Sequence, residues 1–253
     1  MSQKRIDQIL DIIKTQGYVT VKHLCDELHY STATINRDLN ELQKQNLIVR
    51  HYGGAELVAQ KGTPLVFRYH KMRPVKRLIS KKAAELIKDG MTILIDGSTT
   101  CQYIAEHIKN VKNLTVITNN LNLVSHLSEA GVQCICLGGP IMEAPYITSG
   151  EEAVLQLRTY TADLAFLSAM GLSADGKIYE GGRYISLHLT MIEQAKKSVF
   201  LADHQKVGVE GKRVLCDFSK VDTVISDFDF DSAVKETFTG TEFIKVDTPK
   251  TQQ

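Results

Sequence analysis

From Met91 to Val246, short apolar runs alternate with helix-forming stretches, and most runs stop at a glycine, a carboxylate or an amide. The runs are Met91–Asp96, Leu114–Thr118, Val132–Leu137, Leu164–Ala169, Ser198–Ala202, Thr223–Ser226 and Glu242–Val246. Strands buried on both faces read as continuous apolar runs, and parallel neighbours need a helical crossover between them. Helices are expected to open at Gly97-Ser98-Thr99-Thr100 and run to about Lys109, to follow Asn119-Asn120 as far as Ala130, and to cover about Glu151–Arg158, Arg183–Lys197 and Asp231–Phe238. This alternation predicts an α/β domain with a mostly parallel sheet, whose ligands lie beyond the C-terminal ends of the strands.

Polar residues gather at those ends. Asp96-Gly97-Ser98-Thr99-Thr100 sets a carboxylate beside hydroxyls and N–H groups at a helix start, a natural cradle for phosphate. Thr118-Asn119, Gly138-Gly139, Gly150, Gly171 and Asp203-His204-Gln205-Lys206 occupy comparable positions. Any one alone is weak, because strand-to-helix turns are polar and glycine-rich whatever they bind. Converging, with Lys206 among them, they favour a small anionic metabolite.

The N-terminal stretch has a different period. Ile6, Ile9, Leu10 and Ile13 share one face of a helix from about Gln3 to Gln16, which Gly17 ends. Tyr18-Val19 is extended, and Thr20 can cap a second helix through Leu28 that buries Leu24 and Leu28. His29-Tyr30 then turns into a third helix, N-capped by Ser31 and apolar at Ile35, Leu39 and Leu42. Its outward face carries Ala33, Asn36, Arg37, Asn40 and Lys44, with Thr32 and Thr34 in the first turn. Such donors suit base edges and phosphates, although a solvated amphipathic helix would show the same pattern. Leu47–Leu57 reads as a hairpin turning at Gly53-Gly54. Two short helices, a tight turn and this hairpin make a winged helix-turn-helix, whose second helix enters the major groove. Arg50, His51 and Tyr52 on the wing are placed for backbone or minor-groove contact, with a core role for Tyr52 left open.

Charge separates the two halves. Residues 1–82 carry 15 Lys/Arg against 7 Asp/Glu, and the rest 15 against 22, giving the overall +1. The basic excess lies in 58–82, where Lys61, Arg68, Lys71, Arg73, Lys76, Arg77, Lys81 and Lys82 meet no acid. That run either adds salt-dependent affinity for phosphate or complements the acidic domain after it. The first residues are too polar for a signal peptide, and no apolar run approaches membrane-spanning length. Five scattered cysteines suit a reducing compartment. Cys134 and Cys136 alternate within a strand without a zinc-like partner set, so neither a metal nor a cofactor is expected.

Thr34-Ile35-Asn36-Arg37-Asp38-Leu39, Glu41-Leu42 and Val49-Arg50-His51-Tyr52-Gly53-Gly54-Ala55 resemble the N-terminal domain of the DeoR family of bacterial transcriptional regulators. The ordered strand ends resemble that family's effector domain, so the likeness runs from Ile6 to about Asp227. It implies residues 1–57 as the DNA-binding domain, 58–74 as a basic linker, and 75–253 as an effector-sensing and oligomerisation domain. It also implies an anion site at Ser98, Thr99 and Thr100, with Asp96, Asn119, Asp203 and Lys206 around a sugar. Gly97, Thr118, Gly138, Gly139 and Gly171 complete that expected site.

Two departures bear on specificity. Family members typically have a second arginine where this chain has Asn36, and asparagine favours adenine where arginine favours guanine. Members also usually have a Glu after the equivalent of Gly171 and a Lys a few residues on. Here Tyr184 and His188 stand in those places, with Glu180 and Arg183 as replacement acid and base in a changed site, or else the loop has a packing role.

The larger domain is similar to ribose-5-phosphate isomerase as well. That enzyme has an acidic loop after the strand matching Leu164–Ala169 and a lysine before its glycine pair. This chain has Ala169-Met170-Gly171 and Glu180 before Gly181-Gly182. Proton abstraction needs a positioned base, and the acidic loop that supplies one is missing. Glu180 as a nucleophile, in the manner of coenzyme A transferases, rests on one residue. The expectation is therefore a cytoplasmic, non-enzymatic repressor of a carbohydrate operon, homo-oligomeric, bound to double-stranded operator DNA and modulated by a sugar phosphate or related metabolite. An isomerase-like or transferase-like enzyme with an accessory binding module is the alternative.

Overall fold

The computed structural model describes residues 3–16, 19–45, 47–51, 53–57, 68, 72–143 and 146–248. It divides into two compact units, Met1–Lys71 and Met72–Gln253.

The first unit is three helices and a wing: α1 (Gln3–Gln16), β1 (Val19–Thr20), α2 (Val21–Leu28), α3 (Thr32–Lys44), β2 (Ile48–His51) and β3 (Gly54–Leu57). Thr20 Oγ1 accepts the His23 N–H and Ser31 Oγ the Thr34 N–H, so both caps form where the sequence places them. His29 turns the chain between α2 and α3 with φ +56°, and Gly53 turns the hairpin at φ +79°. β1 joins the hairpin as a third, antiparallel strand, pairing Val19 with Ala55. Ile9, Ile13, Leu24, Ile35, Leu39 and Leu42 are fully buried in one cluster. At about 25 cal/mol per Å² of apolar surface, that cluster is what holds helices too short to persist alone.

The second unit opens with α4 (Arg73–Ala84), whose start takes Arg73 and Pro74 out of the expected linker. Then follow β4 (Thr92–Ile95), a 3-10 run (Cys101–Glu106), β5 (Thr115–Thr118), α5 (Leu121–Glu129) and β6 (Gln133–Cys136). A hairpin of β7 (Ile141–Glu143) and β8 (Ile147–Thr148) precedes α6 (Glu151–Leu157), β9 (Ala162–Leu167), β10 (Gly171–Leu172) and β11 (Lys177–Tyr179). The chain continues through α7 (Ile185–Glu193), β12 (Ala195–Ala202), β13 (Val214–Asp217), β14 (Thr223–Ser226), α8 (Ser232–Thr237) and β15 (Glu242–Lys245).

Seven strands form one sheet in the order β15-β14-β12-β9-β4-β5-β6. Every neighbouring pair in it is parallel. Alternation along each strand sends residues to opposite faces. Ile93, Ile95 and Phe166 pack with Ile79 and Ala83 of α4, Ile104 of the 3-10 run and Leu123 of α5. Leu94, Leu167 and Phe200 pack on the other face with Leu157 of α6, Leu187 and Met191 of α7, and Phe218. A small antiparallel sheet, β10-β11-β13, adds Leu172 and Ile178 to that second core.

Two expectations are corrected, and further short strands lie outside the expected runs. The helix expected to open at Gly97–Thr100 and run to about Lys109 is a 3-10 run of 6 residues, Cys101–Glu106, closed by i→i+3 bonds such as that from the His107 N–H to the Ile104 carbonyl at 2.9 Å. The helix expected over Arg183–Lys197 is confined to Ile185–Glu193, since Ala195 already pairs with Ala162 in the sheet. Strands β10, β11 and β13 have 2 to 4 residues each and no legible apolar run.

Candidate nucleic-acid interface and effector site

On α3 the expected face is outward. Thr32, Ala33, Arg37, Asn40 and Lys44 are exposed, as is Ser31, while Thr34 and Asn36 are half-buried. Asp38, on the opposite side, is fully buried and pairs with Arg5 of α1, whose guanidinium also lies 4.8 Å from the Tyr30 ring centroid. The Asp38 carboxylate raises the Arg5 pKa, and the pair ties α1 to α3 and to the turn before it. Arg50, half-buried on β2, reaches back to α3. Its Nη1 donates to Asn40 Oδ1 at 2.5 Å and its Nη2 to Asn36 Oδ1. Arginine has only donors, so both amide oxygens face it and both amide NH2 groups face away. The backbone of His51 pairs with Gly54, but its side chain and all of Tyr52 lie outside the described residues, as do residues 58–67 and 69–71 of the basic run.

In the second unit the strand ends converge on Asp96, which is fully buried. Its Oδ1 accepts the Ser98 N–H at 3.0 Å and its Oδ2 the Ser168 N–H at 2.8 Å, joining the ends of β4 and β9. His188 of α7, 5 % exposed, brings Nε2 to 3.5 Å from Asp96 Oδ2 and Nδ1 to 3.8 Å from Glu180 Oε2. Tyr184 stacks on the same imidazole, with ring centroids 6.1 Å apart. The Lys206 ammonium donates to Ser168 Oγ, and Asp203 Oδ1 caps the short 3-10 turn that carries Lys206. Cys101 is buried beside these groups. Burial first, and the Asp96 charge second, push its thiol pKa well above the ordinary value.

The Ser98–Thr100 loop is braced from α4. Lys76, 4 % exposed, donates from Nζ to Thr99 Oγ1 at 3.0 Å, and Ser80 Oγ donates to the Thr100 carbonyl at 2.7 Å. Arg77 pairs with Glu106 at 2.7 Å and lies over Tyr103. This part of the basic run serves the α/β unit itself. Lys76 was missed as a site residue, although it sits on the buried stripe Lys76, Ile79, Ser80 and Ala83, at i, i+3, i+4 and i+7. A lysine on an apolar stripe is the signal that it faces something polar inside.

Asn119 Nδ2 donates to the Thr148 carbonyl at 2.7 Å, and Thr118 Oγ1 accepts the Asn120 N–H at 3.2 Å. Among the described residues of this unit, three buried side-chain atoms have no hydrogen-bond partner: Thr100 Oγ1, Asn119 Oδ1 and His188 Nδ1. Leaving each bare costs about 1–3 kcal/mol. Gly97 belongs with them, since a Cβ there would meet Ile147 at 2.8 Å and Asn119 Oδ1 at 3.3 Å. The other glycines have packing reasons. Gly138 gives its N–H to Gln156 at 2.8 Å, a Cβ on Gly139 would strike the Ser149 carbonyl at 2.8 Å, and one on Gly171 the Val209 carbonyl at 2.0 Å. Arg183 is exposed, and its carbonyl accepts from Ser149 Oγ at 3.3 Å. With Glu180 it lines an open pocket of about 510 Å³.

A winged helix-turn-helix with an outward donor face, in one chain with an α/β unit whose strand ends enclose unsatisfied polar atoms, is the build of a ligand-sensing transcription regulator. The chain belongs to the DeoR family: residues 5–61 match the DeoR-like helix-turn-helix domain and residues 72–228 the DeoR C terminal sensor domain. It is 34 % identical over 228 residues to the HTH-type transcriptional repressor GlcR of Bacillus subtilis, covering 89 % of this chain and 88 % of that one. It is 33 % identical over 227 residues to the glycerol-3-phosphate regulon repressor of Escherichia coli, covering 88 % and 90 %. Among solved structures, ribose 5-phosphate isomerase A from Neisseria gonorrhoeae aligns with a TM-score of 0.40 at 14 % identity, over 55 % of this chain and 54 % of that one. Among the described residues no helix is long and apolar enough to cross a membrane.

Proposed function

We propose that this regulator represses a carbohydrate-utilisation operon in the cytoplasm, binding operator DNA as a homo-oligomer and releasing it when a sugar phosphate occupies the strand ends. The observation that carries the effector half is the set of three buried, unsatisfied atoms, Thr100 Oγ1, Asn119 Oδ1 and His188 Nδ1, in the unit where the His188 ring also faces Asp96. A polyol supplies the donors and acceptors that such atoms lack, and a phosphate would lie at Ser98–Thr100, beside Lys206 and the buried Lys76. Asn119, Asp96 and Asp203 then face the sugar hydroxyls. The repressor names of both relatives and the phosphorylated ligand in one of those names support the same reading. No step of catalysis is assigned: Glu180, the one residue that suggested a nucleophile, is occupied by the Gly181 N–H at 2.7 Å and faces His188.

The oligomer would hold two α3 helices at half-sites roughly 34 Å apart. Effector binding shifts the balance between arrangements only by its difference in affinity for them. The test is operator binding by the full chain, titrated with sugar phosphates. Arg37→Ala is expected to lose specific DNA binding while keeping effector-induced thermal stabilisation. Asp96→Asn and Lys206→Ala are expected to bind operator but no longer release it. A fully inducible Lys206→Ala protein would overturn the pocket assignment.

A further inference from the structure

The open pocket next to the buried cluster has a composition that one sugar monophosphate does not use. Its walls carry three cations, Arg183, Lys212 and Arg213, and a single carboxylate, Glu180. That carboxylate is already engaged: Oε1 accepts the Gly181 N–H at 2.7 Å, and Oε2 faces His188 Nδ1 at 3.8 Å. The side chains of Lys212 and Arg213 have no ion-pair partner among the described residues. Arg213 is nevertheless held in place. Its carbonyl accepts the Glu180 N–H at 3.1 Å, and its stem runs past Gly182, where a Cβ would sit 3.2 Å from Arg213 Cδ. The volume, about 510 Å³, falls within the range of small-molecule sites.

The pocket and the buried cluster meet at Glu180, which lines the pocket and faces the His188 imidazole. His188 has Glu180 on its Nδ1 side and Asp96 on its Nε2 side, and its Nδ1 is buried without a hydrogen bond. A ligand whose phosphate lies at Ser98–Thr100 and whose chain reaches past His188 and Glu180 would meet Arg183, Lys212 and Arg213. We infer that this pocket is a second anion subsite, and that the effector is a phosphorylated sugar carrying a further anionic group, either a second phosphate or a carboxylate. The inference rests on the effector reading above and adds the class of ligand. Guanidinium forks and an ammonium recognise either anion through charge-assisted hydrogen bonds.

The test is calorimetric titration of the full chain, and of the double variant Lys212→Gln/Arg213→Gln, with three ligands: a hexose monophosphate, a hexose bisphosphate and a phosphorylated sugar acid. The parent is expected to bind one of the doubly anionic ligands at least about tenfold tighter than the monophosphate, as one added charge-assisted contact allows. In the double variant that ratio is expected to fall to about threefold or less. Preference for the bisphosphate identifies the second group as phosphate, and preference for the acid identifies a carboxylate. A ratio near one in the parent, or an unchanged ratio in the variant, overturns the second subsite and leaves the effector reading standing. Failure of all three ligands to bind the parent overturns that reading and the subsite with it. Weaker operator binding by the ligand-free variant would assign these cations to DNA and also overturn the subsite. Both positions are exposed, so the variant is expected to fold, and Arg183→Gln provides an independent test of the same ratio.

Discussion

Arg50 on the wing holds Asn36 on the reading helix by its side-chain oxygen. The same guanidinium holds Asn40 one turn further on, at 2.5 Å. An asparagine reads adenine by accepting from N6–H and donating to N7 at once, so it needs both ends of its amide. Here one lone pair of each oxygen is committed, and the helix presents amide NH2 groups together with the exposed Arg37. Such a face suits acceptor-rich edges, above all guanine N7 and O6. The simple expectation that Asn36 selects adenine is therefore modified by a residue ten or more positions away. Selection of operator sequences from a random library is expected to yield guanine opposite Asn36 in the parent. Arg50→Ala is expected to shift that position toward adenine by about 1–3 kcal/mol of discrimination. Identical selected sites for the two proteins would show that Arg50 leaves the amide on binding DNA.

Lys76 tests how the basic run is used. A lysine on a DNA-facing linker would contribute about one unit to the salt slope of operator binding. Lys76 instead lies 4 % exposed under the Ser98–Thr100 loop, with its ammonium on Thr99. Lys76→Met is therefore expected to leave the salt slope unchanged while weakening sugar-phosphate binding by about tenfold, roughly the loss of one charge-assisted hydrogen bond. Fluorescence anisotropy across a salt series and calorimetry separate the two effects. A salt slope reduced by one with unaltered effector affinity would return Lys76 to the DNA.

The reasons some features were legible in the sequence and others were not are physical. The central strands of the main sheet are legible because both faces are buried and their runs are largely apolar, whereas the edge strands β6 and β15 carry exposed polar residues at Gln133, Glu242 and Lys245. Ser31 and Thr20 are legible because capping is a contact between neighbours in sequence. α4 is not legible because its exposed face is so basic that the stripe of Ile79 and Ala83 is diluted, and because a buried lysine interrupts it. The polar strand ends were visible as a set, but which of them have unsatisfied atoms was not. Gly138 and Gly171 look like Gly97 in sequence, and only the positions of Gln156 and Val209 show that the first two serve packing. His188 stood out as a departure, yet its place between Asp96 and Glu180 depends on α7 packing across the sheet from β4.

Gly171 and Gly181 make a paired test of that distinction. An added Cβ at Gly171 would lie 2.0 Å from the Val209 carbonyl, whereas at Gly181 it would meet nothing within 4 Å. Gly171→Ala must push β10 away from the segment following Lys206, and overpacking of this kind costs about 1–3 kcal/mol. In a domain of this size that lowers the melting temperature by roughly 2–4 °C per kcal/mol. Gly181→Ala is expected to stay within about 0.5 kcal/mol of the parent. Thermal melts of the two proteins decide it, and equal melting temperatures would mean that the close approach of Val209 is absent in solution.

The start of the central strands contributes to acid sensitivity. The Asp163 carboxylate accepts the Thr92 N–H at 2.9 Å and pairs with Lys196 at 2.8 Å, linking β4, β9 and β12 at one end. The hydrogen bond from Lys196, and then that from Thr92, hold its pKa below the ordinary value of 3.8. A group whose pKa is lower in the folded protein than in the unfolded chain binds protons more readily when unfolded. Its stabilising contribution is complete above the unfolded pKa near 3.8 and disappears as pH falls through the lower, folded value. Lys196 is 78 % exposed, so salt screens its part of the effect, while the Thr92 bond remains. Asp163→Asn keeps the shape but loses the charge. It is expected to unfold at lower denaturant concentration than the parent at pH 7, with the gap narrowing steadily below pH 4 as the parent's carboxylate is protonated. A gap that stayed constant from pH 7 to pH 3 would mean that the loss comes from amide packing rather than from the ionised carboxylate.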